Sequence, residues 1–472
     1  MLSEEYQELM ELNKDYVNIT DALYKLKTFD EAEIERIYQD IKTKLIESKK
    51  VSPSYIIDMI SVAMSYNLRY TKSYMAIFEK LYEDYQPKQA KITYPIFAYL
   101  IFKEYDIVLD KRHEPLFDSY LSKNISIEIH EKNSIYRAIM DDDLMSFITF
   151  TEQEGFDKNA QLNSPLYPYT IYQGYYYLDL CCYYGAVNCF KLLRSKFGSP
   201  ITTSCLEFSF LGRNAEILSE CMKESEEFDR CKKYAIISHN IDFVSFLMNE
   251  HNINIYLGYC DCHNLHAFLV YLDQTKDFNT CFVHSPNFCN LNLCEYLISH
   301  GADVNAIDDL DKSALHTAAE SNCKEIVEFL LSHGANVDAI EKTNGETPLH
   351  KVAEINNPEI AELLISHGAN VNATNYGDET PLHLASNWNC EDTAKVLIDH
   401  GADVNAKAEL GRTPLHCAAK YNSYETAELL ISHGADINAK DLYGITVLQY
   451  ASRKDSEDVE ELLYSLGADE GE

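Results

Sequence analysis

The most regular feature of the sequence is a stripe of apolar positions that returns every 33 or 34 residues in its C-terminal part. In segments such as "KEIVEFLLSHG" and "YETAELLISHG", apolar residues recur three and four positions apart, with charged residues between them. This is the spacing of a helix with one buried face. One column predicts a buried seam: Leu330, Leu364, Leu397, Leu430 and Leu463. Another predicts a solvated face: Glu328, Glu362, Lys395, Glu428 and Glu461.

A second motif precedes each of these segments and predicts another short helix. It reads "SALH" at Ser313, "TPLH" at Thr347, Thr380 and Thr413, and "TVLQ" at Thr446. Thr or Ser suits the N-cap of a helix, and proline directly after it costs little, because the first N–H groups of a helix have no partner inside it. Two small residues follow, as at Ala318 and Ala319, and they would let a neighbouring helix approach closely.

The joint between units is the motif that varies least from one repeat of the chain to the next. "SHGADVNA" at Ser299 returns nearly unchanged at Ser332, Ser366, Asp399 and Ser432. Between the two helices of a unit stands an Asn or Asp, which tolerates the left-handed conformation that ends a helix: Asn322, Asn356, Asn389, Asn422 and Asp455. Each unit is predicted to run helix, turn, helix, extended finger, and to bury its apolar face only by stacking on its neighbours.

These motifs resemble the ankyrin repeat over about 291–472. The resemblance implies an all-α solenoid with units at about 309–341, 342–375, 376–408, 409–441 and 442–472, the last being a cap. The sequence departs from the family pattern by placing Asn where the family usually has Gly between the helices. In the cap, Glu460 stands where the other units have Val327, Ala361, Ala394 or Ala427, and we interpret this charge as the mark of a unit with no successor.

Shorter helix pairs without fingers precede the clear repeats, and we assign residues 126–290 to degenerate ankyrin-like repeats. Segments 134–150, 178–198, 205–223 and 231–249 have predicted turns at Asp142, Gly185, Gly212 and Asn240. Residues 1–125 show helical patterning without a repeat, including a helix over 33–50 and another that opens at Ser52 and Pro53. They predict an N-terminal α-helical domain.

Nearly the whole chain also resembles a wider group. Through segments such as "NSIYRAIM", "LDLCCYYGAVNCFKLL" and "AIISHNIDFVSFLMNE" it resembles the expanded trichomonad family of ankyrin-repeat proteins, whose members carry a domain of unknown function before the repeats. The resemblance implies a fold and a binding role, but no particular partner or activity.

Charge and composition narrow the classes of partner. The 472 residues include 75 acidic and 40 basic side chains, for a net charge of -35, which repels phosphate backbones and anionic membrane surfaces. No apolar stretch approaches the roughly 18 to 20 residues of a membrane span, and the 14 Cys show no disulfide framework. We expect a reduced, soluble, cytoplasmic monomer that neither binds nucleic acid nor inserts into a membrane.

Two sets of residues could suggest metal chemistry. Nine histidines recur with the repeat, about 10 Å apart at the spacing of packed helices. Equivalent rings could not share an ion whose bonds are about 2 Å long, so we interpret each as bracing its own finger. The second set lies within 260–294: Cys260, Cys262, His263, His266, Cys281, His284, Cys289 and Cys294. Its C-x-C-H spacing departs from that of zinc sites; we predict no metal and no cofactor, while a zinc ion here stays open.

The predicted function is non-catalytic. No phosphate-binding loop, nucleophile elbow or metalloprotease motif occurs in the sequence. Stacked units present their finger tips and first helices along one concave groove, which favours a scaffold or adaptor that binds partner proteins. Two alternatives stay open: a structural spacer or membrane–cytoskeleton linker, and an enzyme of unrecognised type within 1–290.

Residues that break the repeat pattern along this groove are the predicted recognition residues. The principal candidates are Trp388, Tyr421, Tyr376, Tyr443, Lys351, Ile355, Leu310, Leu410 and Leu442. Further candidates are Asp308, Asp309, Lys342, Thr343, Asn375, Glu409 and Asp441 at the tips, and Thr317, Ser321, Leu384, Cys417, Gln449 and Lys454 on the first helices. Trp388 shares a column with Ser321, Ile355, Tyr421 and Lys454; packed cores resist such changes of volume, so we expect it to be largely exposed.

Overall fold

The computed structural model describes residues 3–167, 174–225, 227–251, 253, 255–454 and 456–469, and only the backbone of Cys260 and Asp261. The chain forms two compact units, Met1–Lys276 and Asp277–Glu472, which we call the N-terminal and C-terminal units. Both are helical, as predicted. In the described ranges the sheet structure is one hairpin of antiparallel strands, β1 (Gln161–Leu162) and β2 (Tyr175–Tyr176).

The first part of the N-terminal unit is built from α1 (Glu4–Leu12), α2 (Lys14–Tyr24), α3 (Glu31–Ile41), α4 (Pro53–Ser65), α5 (Thr71–Tyr85), α6 (Pro95–Tyr105) and α7 (Phe117–Ser122). As predicted, α4 opens at Pro53, and the side chain of Ser52 accepts a hydrogen bond from the N–H of Tyr55. The helix predicted over 33–50 is instead α3 followed by a π-helical turn, Lys42–Ile46.

Helix pairs follow in the same unit: α8 (Ile135–Asp141), α9 (Leu144–Thr151), α10 (Tyr177–Tyr184), α11 (Val187–Phe197), α12 (Thr203–Gly212), α13 (Ala215–Glu224), α14 (Lys232–Ile237) and α15 (Ile241–Glu250), with α16 (Leu265–Thr275) after them. The left-handed residues at their turns are Asp142, Gly185, Arg213 and His239. The turns predicted at Asp142 and Gly185 are confirmed, whereas those predicted at Gly212 and Asn240 are displaced by one residue. Asn240 is instead the N-cap of α15.

Gly212 is needed for close packing rather than for the turn. A Cβ atom at this position would lie 2.0 Å from the carbonyl oxygen of Cys182 and 3.0 Å from the Cα of Gly185. Because glycine has no Cβ, the end of α12 can lie directly against the end of α10. Arg213 takes the left-handed conformation in its place, and its guanidinium donates to the carbonyl oxygens of Tyr24 and Ser238, at 2.8 Å each.

Within the N-terminal unit, helices α1–α7 pack against the helix pairs that follow them. The hydroxyl of Tyr24 on α2 lies 2.9 Å from Nδ1 of His263, just before α16. The hydroxyl of Tyr183 on α10 donates to the carbonyl oxygen of Ser65 at the end of α4, at 3.2 Å. Which segments fold on their own, and whether domain boundaries lie near 125 and 290, stay predictions.

The C-terminal unit is a row of helix pairs: α17 (Phe278–His284), α18 (Leu291–Ser299), α19 (Ala314–Glu320), α20 (Lys324–Ser332), α21 (Pro348–Glu354), α22 (Pro358–Ser366), α23 (Pro381–Asn387), α24 (Glu391–Asp399), α25 (Pro414–Tyr421), α26 (Tyr424–Ser432), α27 (Val447–Arg453) and α28 (Glu457–Ser465). First helices pack on first helices, from α19 through α27, and second helices on second helices. The predicted seam of Leu330 and its four equivalents is fully buried. The predicted turn residue Asp455 lies outside the described residues.

Candidate protein-interaction surface

Four of the first helices, α19, α21, α23 and α25, each carry a histidine that ties its unit to the next one. Nδ1 of His316 accepts from the backbone N–H of Ser313 at 3.2 Å, and its Nε2 donates to the carbonyl oxygen of Glu346, in the following unit, at 3.0 Å. His350, His383 and His416 bind the carbonyl oxygens of Glu379, Arg412 and Ile445 in the same way. For these four histidines, the predicted bracing within their own unit therefore describes Nδ1 alone, since Nε2 spans the joint.

The four rings are held in their neutral form. Burial is the largest effect on each, and it lowers the pKa of His316, His350 and His416 and lowers that of His383 to about 4. An accepting Nδ1 together with a donating Nε2 requires an uncharged imidazole. These histidines therefore serve the framework of the repeat.

The repeated "GADVNA" motif supplies a second hydrogen-bonded contact across each joint. Oδ1 of Asn305 accepts from the N–H of Asn336 at 2.7 Å, and its Nδ2 donates to the carbonyl oxygen of Gly334 at 3.2 Å. Asn372 and Asn405 repeat both contacts two and three joints further on. The recurrence of these residues is explained by the bond that each makes to its successor.

The Asn at the turn inside each unit also contacts the next unit. Asn389 has a φ of 53° and lies in the left-handed region. Its Oδ1 accepts from the N–H of Thr426 at 3.2 Å, and its Nδ2 donates to Glu425 at 2.5 Å, both at the start of α26. Glycine would provide the conformation without these bonds, which explains why this chain departs from the family pattern at the turn.

A polar side chain holds most of the finger tips in shape from inside the loop. Oδ1 of Asp441 accepts from the N–H groups of Tyr443 and Ile445, at 2.9 Å each. Asp308 and Asn375 bind the N–H groups of their own tips in the same way. These three side chains are almost fully buried and are occupied within the protein. They are framework residues, contrary to their predicted place among the recognition residues.

The finger tips also carry large apolar side chains, which do not hold the loop in shape. Five of the predicted candidates form what we call the tip row: Leu310, Tyr376, Leu410, Leu442 and Tyr443, all of them exposed. Backbone hydrogen bonds of 2.7 to 2.8 Å join each tip to the next, as from the N–H of Leu442 to the carbonyl oxygen of Leu410. A rigid ladder of backbone therefore carries the tip row.

The first helices add fewer exposed residues than predicted. Trp388 follows α23 and is 37% exposed, so about a third of the side chain is accessible rather than most of it. Tyr421 is exposed at 45%, with the ammonium of Lys420 4.5 Å from its ring centre. Ile355 is half-buried. Three further candidates are fully packed between neighbouring first helices, and their predicted exposure is wrong: Thr317, Leu384 and Cys417.

Lys351 differs from the other candidates because its charge is already neutralised. Its ammonium bonds to the carboxylate of Glu346 and lies 3.7 Å from Glu320 and 4.0 Å from Glu341. The lysine side chain is 12% exposed, and those of Glu346 and Glu341 are 5% exposed. Burial opposes the charge of Lys351, but the carboxylates outweigh it and raise the pKa of the ammonium. This cluster fastens the second repeat to the first.

Two of the candidate metal ligands within 260–294 lie in the core of the N-terminal unit. Cys262 and His263 are buried, with His263 bonded to Tyr24. Where side chains are described, no three residues of metal-binding type come together, and the side chain of Cys260 lies outside the described set. Nearby, His239 has both nitrogens engaged, one 3.0 Å from Asp21 and the other 3.0 Å from the carbonyl oxygen of Cys262.

Comparison with known families agrees with this arrangement. Residues 311–342 match the model of the ankyrin repeat, and 337–408 and 406–471 match the model of ankyrin repeats in three copies. Residues 197–271 match a domain of unknown function, DUF3447. The chain thus carries a DUF3447 domain followed by ankyrin repeats, and ankyrin repeats are typically non-catalytic and suggest a protein–protein interaction domain. No curated protein matches the chain. Across the described ranges, no helix has the length and apolar character to cross a bilayer.

Proposed function

We propose that the C-terminal unit is a non-catalytic binding module through which this protein acts as a scaffold or adaptor in the cytoplasm. Its partners are proteins, and the tip row is the centre of the contact. The chain works as a monomer and uses no cofactor. The wider resemblance to the expanded trichomonad family is compatible with this role and names no partner.

The observation that carries the proposal is the contrast between two kinds of residue on the same loops. Asp441 is buried and bonded, whereas its neighbours Leu442 and Tyr443 are 77% and 73% exposed. Tyr376 is 69% exposed, and its ring lies over the preceding tip at Gly345, where a Cβ would come within 2.5 Å of it. Clustered exposed apolar side chains on a rigid frame are typical of protein-binding sites.

The test compares full-length protein with a variant that keeps the frame and removes the three most exposed side chains of the tip row. In Tyr376→Ser/Leu442→Ser/Tyr443→Ser the buried tip residues and the backbone ladder are untouched. The matched control is Tyr464→Ser/Leu466→Ser, which removes two other exposed apolar side chains, at the end of α28. Proximity crosslinking in cells should give one set of partners for the wild type and the control, and the triple variant should lose it. Equal partner sets in all three proteins would refute the proposed surface.

Trp388 tests the reach of the surface along the first helices. Truncation of an interface tryptophan often costs about 2 kcal/mol or more of binding free energy, which is roughly thirtyfold in affinity. With a crosslinked partner purified, Trp388→Ala should bind at least that much more weakly, and its thermal unfolding should stay close to that of the wild type. Equal affinities would show that Trp388 is not part of the binding surface, which would then consist of the tip row.

A further inference from the structure

One joint of the C-terminal unit is closed by sulfur atoms instead of amides. Cys289 ends the turn between α17 and α18 in the left-handed conformation, with a φ of 45°. Cys323 is the N-cap of α20 in the following pair. The two cysteines are joined as a disulfide, with their Cα atoms 5.7 Å apart.

The next joint carries a pair of asparagines at these two places. Asn322 is the left-handed turn residue between α19 and α20, and Asn357 is the N-cap of α22. The side-chain amide of Asn357 donates to the side-chain oxygen of Asn322. Cys289 and Cys323 therefore stand, position for position, where a hydrogen-bonded pair of amides links the following two units.

The surroundings of the pair suit thiol–disulfide exchange. Cys289 is partly exposed while Cys323 is buried, so that an oxidant or reductant in solution reaches the pair at Cys289. Cys323 caps the N-terminal end of α20, where the helix dipole favours a thiolate. The free cysteines whose side chains are described are all buried, among them Cys281 and Cys294 in the adjoining helices. Among the described cysteines, exchange chemistry is thereby confined to this pair.

We propose that Cys289 and Cys323 form a reversible oxidation site that switches the joint between the α17/α18 pair and the first ankyrin repeat from a loose to a covalent link. The co-reactant is a small disulfide of the glutathione type. The thiolate of Cys289 attacks one of its sulfur atoms and releases a thiolate. The thiolate of Cys323 then attacks the sulfur of Cys289 and releases the second small thiol. Two protein thiols lose two electrons and two protons, and the small disulfide gains them.

The reduced joint is the weaker of the two states. With the sulfurs unlinked, the nearest hydrogen-bond acceptors are the carbonyl oxygens of Ser321 and Pro286, at 3.3 Å and 3.7 Å from Sγ of Cys323. Thiols are weak donors compared with the amides of the next joint. Oxidation closes a loop with a sequence separation of 34. The cross-link lowers the entropy of the unfolded chain and so raises the ratio of folded to unfolded protein by roughly a few hundredfold. Oxidation should thus fasten α17 and α18 to the repeats.

The experiment uses the full-length wild-type protein in defined mixtures of reduced and oxidised glutathione. Peptide mapping without reductant should find Cys289 linked to Cys323 in oxidising mixtures, with both thiols alkylated in reducing ones. Hydrogen exchange of the α17 and α18 amides should be at least tenfold slower in the oxidised protein. A pair that never links, a link that excess glutathione cannot open, or equal exchange in both states would each overturn the proposal.

The matched control installs the pair of the next joint. Cys289→Asn/Cys323→Asn keeps a residue that tolerates the left-handed turn and a good N-cap. Its hydrogen exchange over α17 and α18 should be the same in every glutathione mixture, because nothing at the joint remains to be oxidised. A redox response that persists in this variant would place the effect at other cysteines and refute the assignment. The wild-type comparison needs no substitution and stands even where the variant folds poorly.

Discussion

Acid should weaken the C-terminal unit through its buried histidines, and His383 allows the effect to be isolated. Nδ1 of its ring accepts from the N–H of Thr380 at 3.1 Å, and Nε2 donates to the carbonyl oxygen of Arg412 at 3.1 Å. A proton on Nδ1 would abolish the first bond and charge a ring with no exposed surface. Protonation is therefore tolerated in the unfolded chain and resisted in the folded one.

The magnitude follows from the pKa difference between the two states. The unfolded side chain titrates near 6.5 and the folded one near 4. The stabilising contribution is complete above pH 6.5 and is lost as the pH falls from 6.5 towards 4, because the unfolded chain binds the proton first. At about 1.4 kcal/mol per pH unit, this one ring should cost about 2 kcal/mol of unfolding free energy between pH 7.5 and pH 5.

The natural control for His383 stands in the last repeat. There Gln449 takes the place of the histidine, and its Oε1 accepts from the N–H of Thr446 at 3.2 Å. His383→Gln should therefore keep the cap and lose the titration. Urea unfolding, followed through the fluorescence of the chain's one tryptophan in the same repeat, should show that wild type loses about 2 kcal/mol more than the variant between pH 7.5 and 5. Carboxylates titrate in both proteins and cancel in the difference. Equal losses would refute the argument.

Three further substitutions probe other contacts. Gly212→Ala should lower the unfolding free energy of the N-terminal unit by about 2 kcal/mol or more, because the new Cβ would clash with backbone atoms. An unchanged melting temperature would contradict the close approach. Ala427→Glu places a charge in a fully buried column and should prevent cooperative unfolding of the repeats in calorimetry, whereas Glu460→Ala, in the same column of the last repeat, should be tolerated. Lys351→Met should cost about 3 kcal/mol in urea unfolding at pH 7, because it strands buried carboxylates; a neutral result would return Lys351 to the set of free surface residues.

The period of the sequence predicted the helices of the repeats well, because the buried face of a helix is visible in the spacing of its apolar residues along the chain. It could not assign the partners of the histidines, since the acceptor of His316 lies 30 residues further on and belongs to another unit. The sequence held one clue to these partners, because the last repeat has Gln449 where the other repeats have a histidine. Aspartates in loops were equally ambiguous, because Asp308 could either bind the loop's own N–H groups or face a partner.

Turn residues show a second kind of ambiguity. A glycine near a helix end suggests a left-handed turn, yet at Gly212 the missing Cβ serves an approach between two helix pairs, and Arg213 makes the turn. Only the three-dimensional packing distinguishes the two uses. The cysteine pair could have been found from the columns alone, because Cys289 and Cys323 align with Asn322 and Asn357.

The joint asparagines have a consequence for how such a chain can change over generations. Asn305, Asn372 and Asn405 reach the same two backbone groups of the next unit. Loss or duplication of a unit between joints that carry these asparagines would leave the same two backbone contacts at the new joint. At such joints the length can therefore vary in steps of one unit while these contacts are kept, and the exposed tips remain free to diversify.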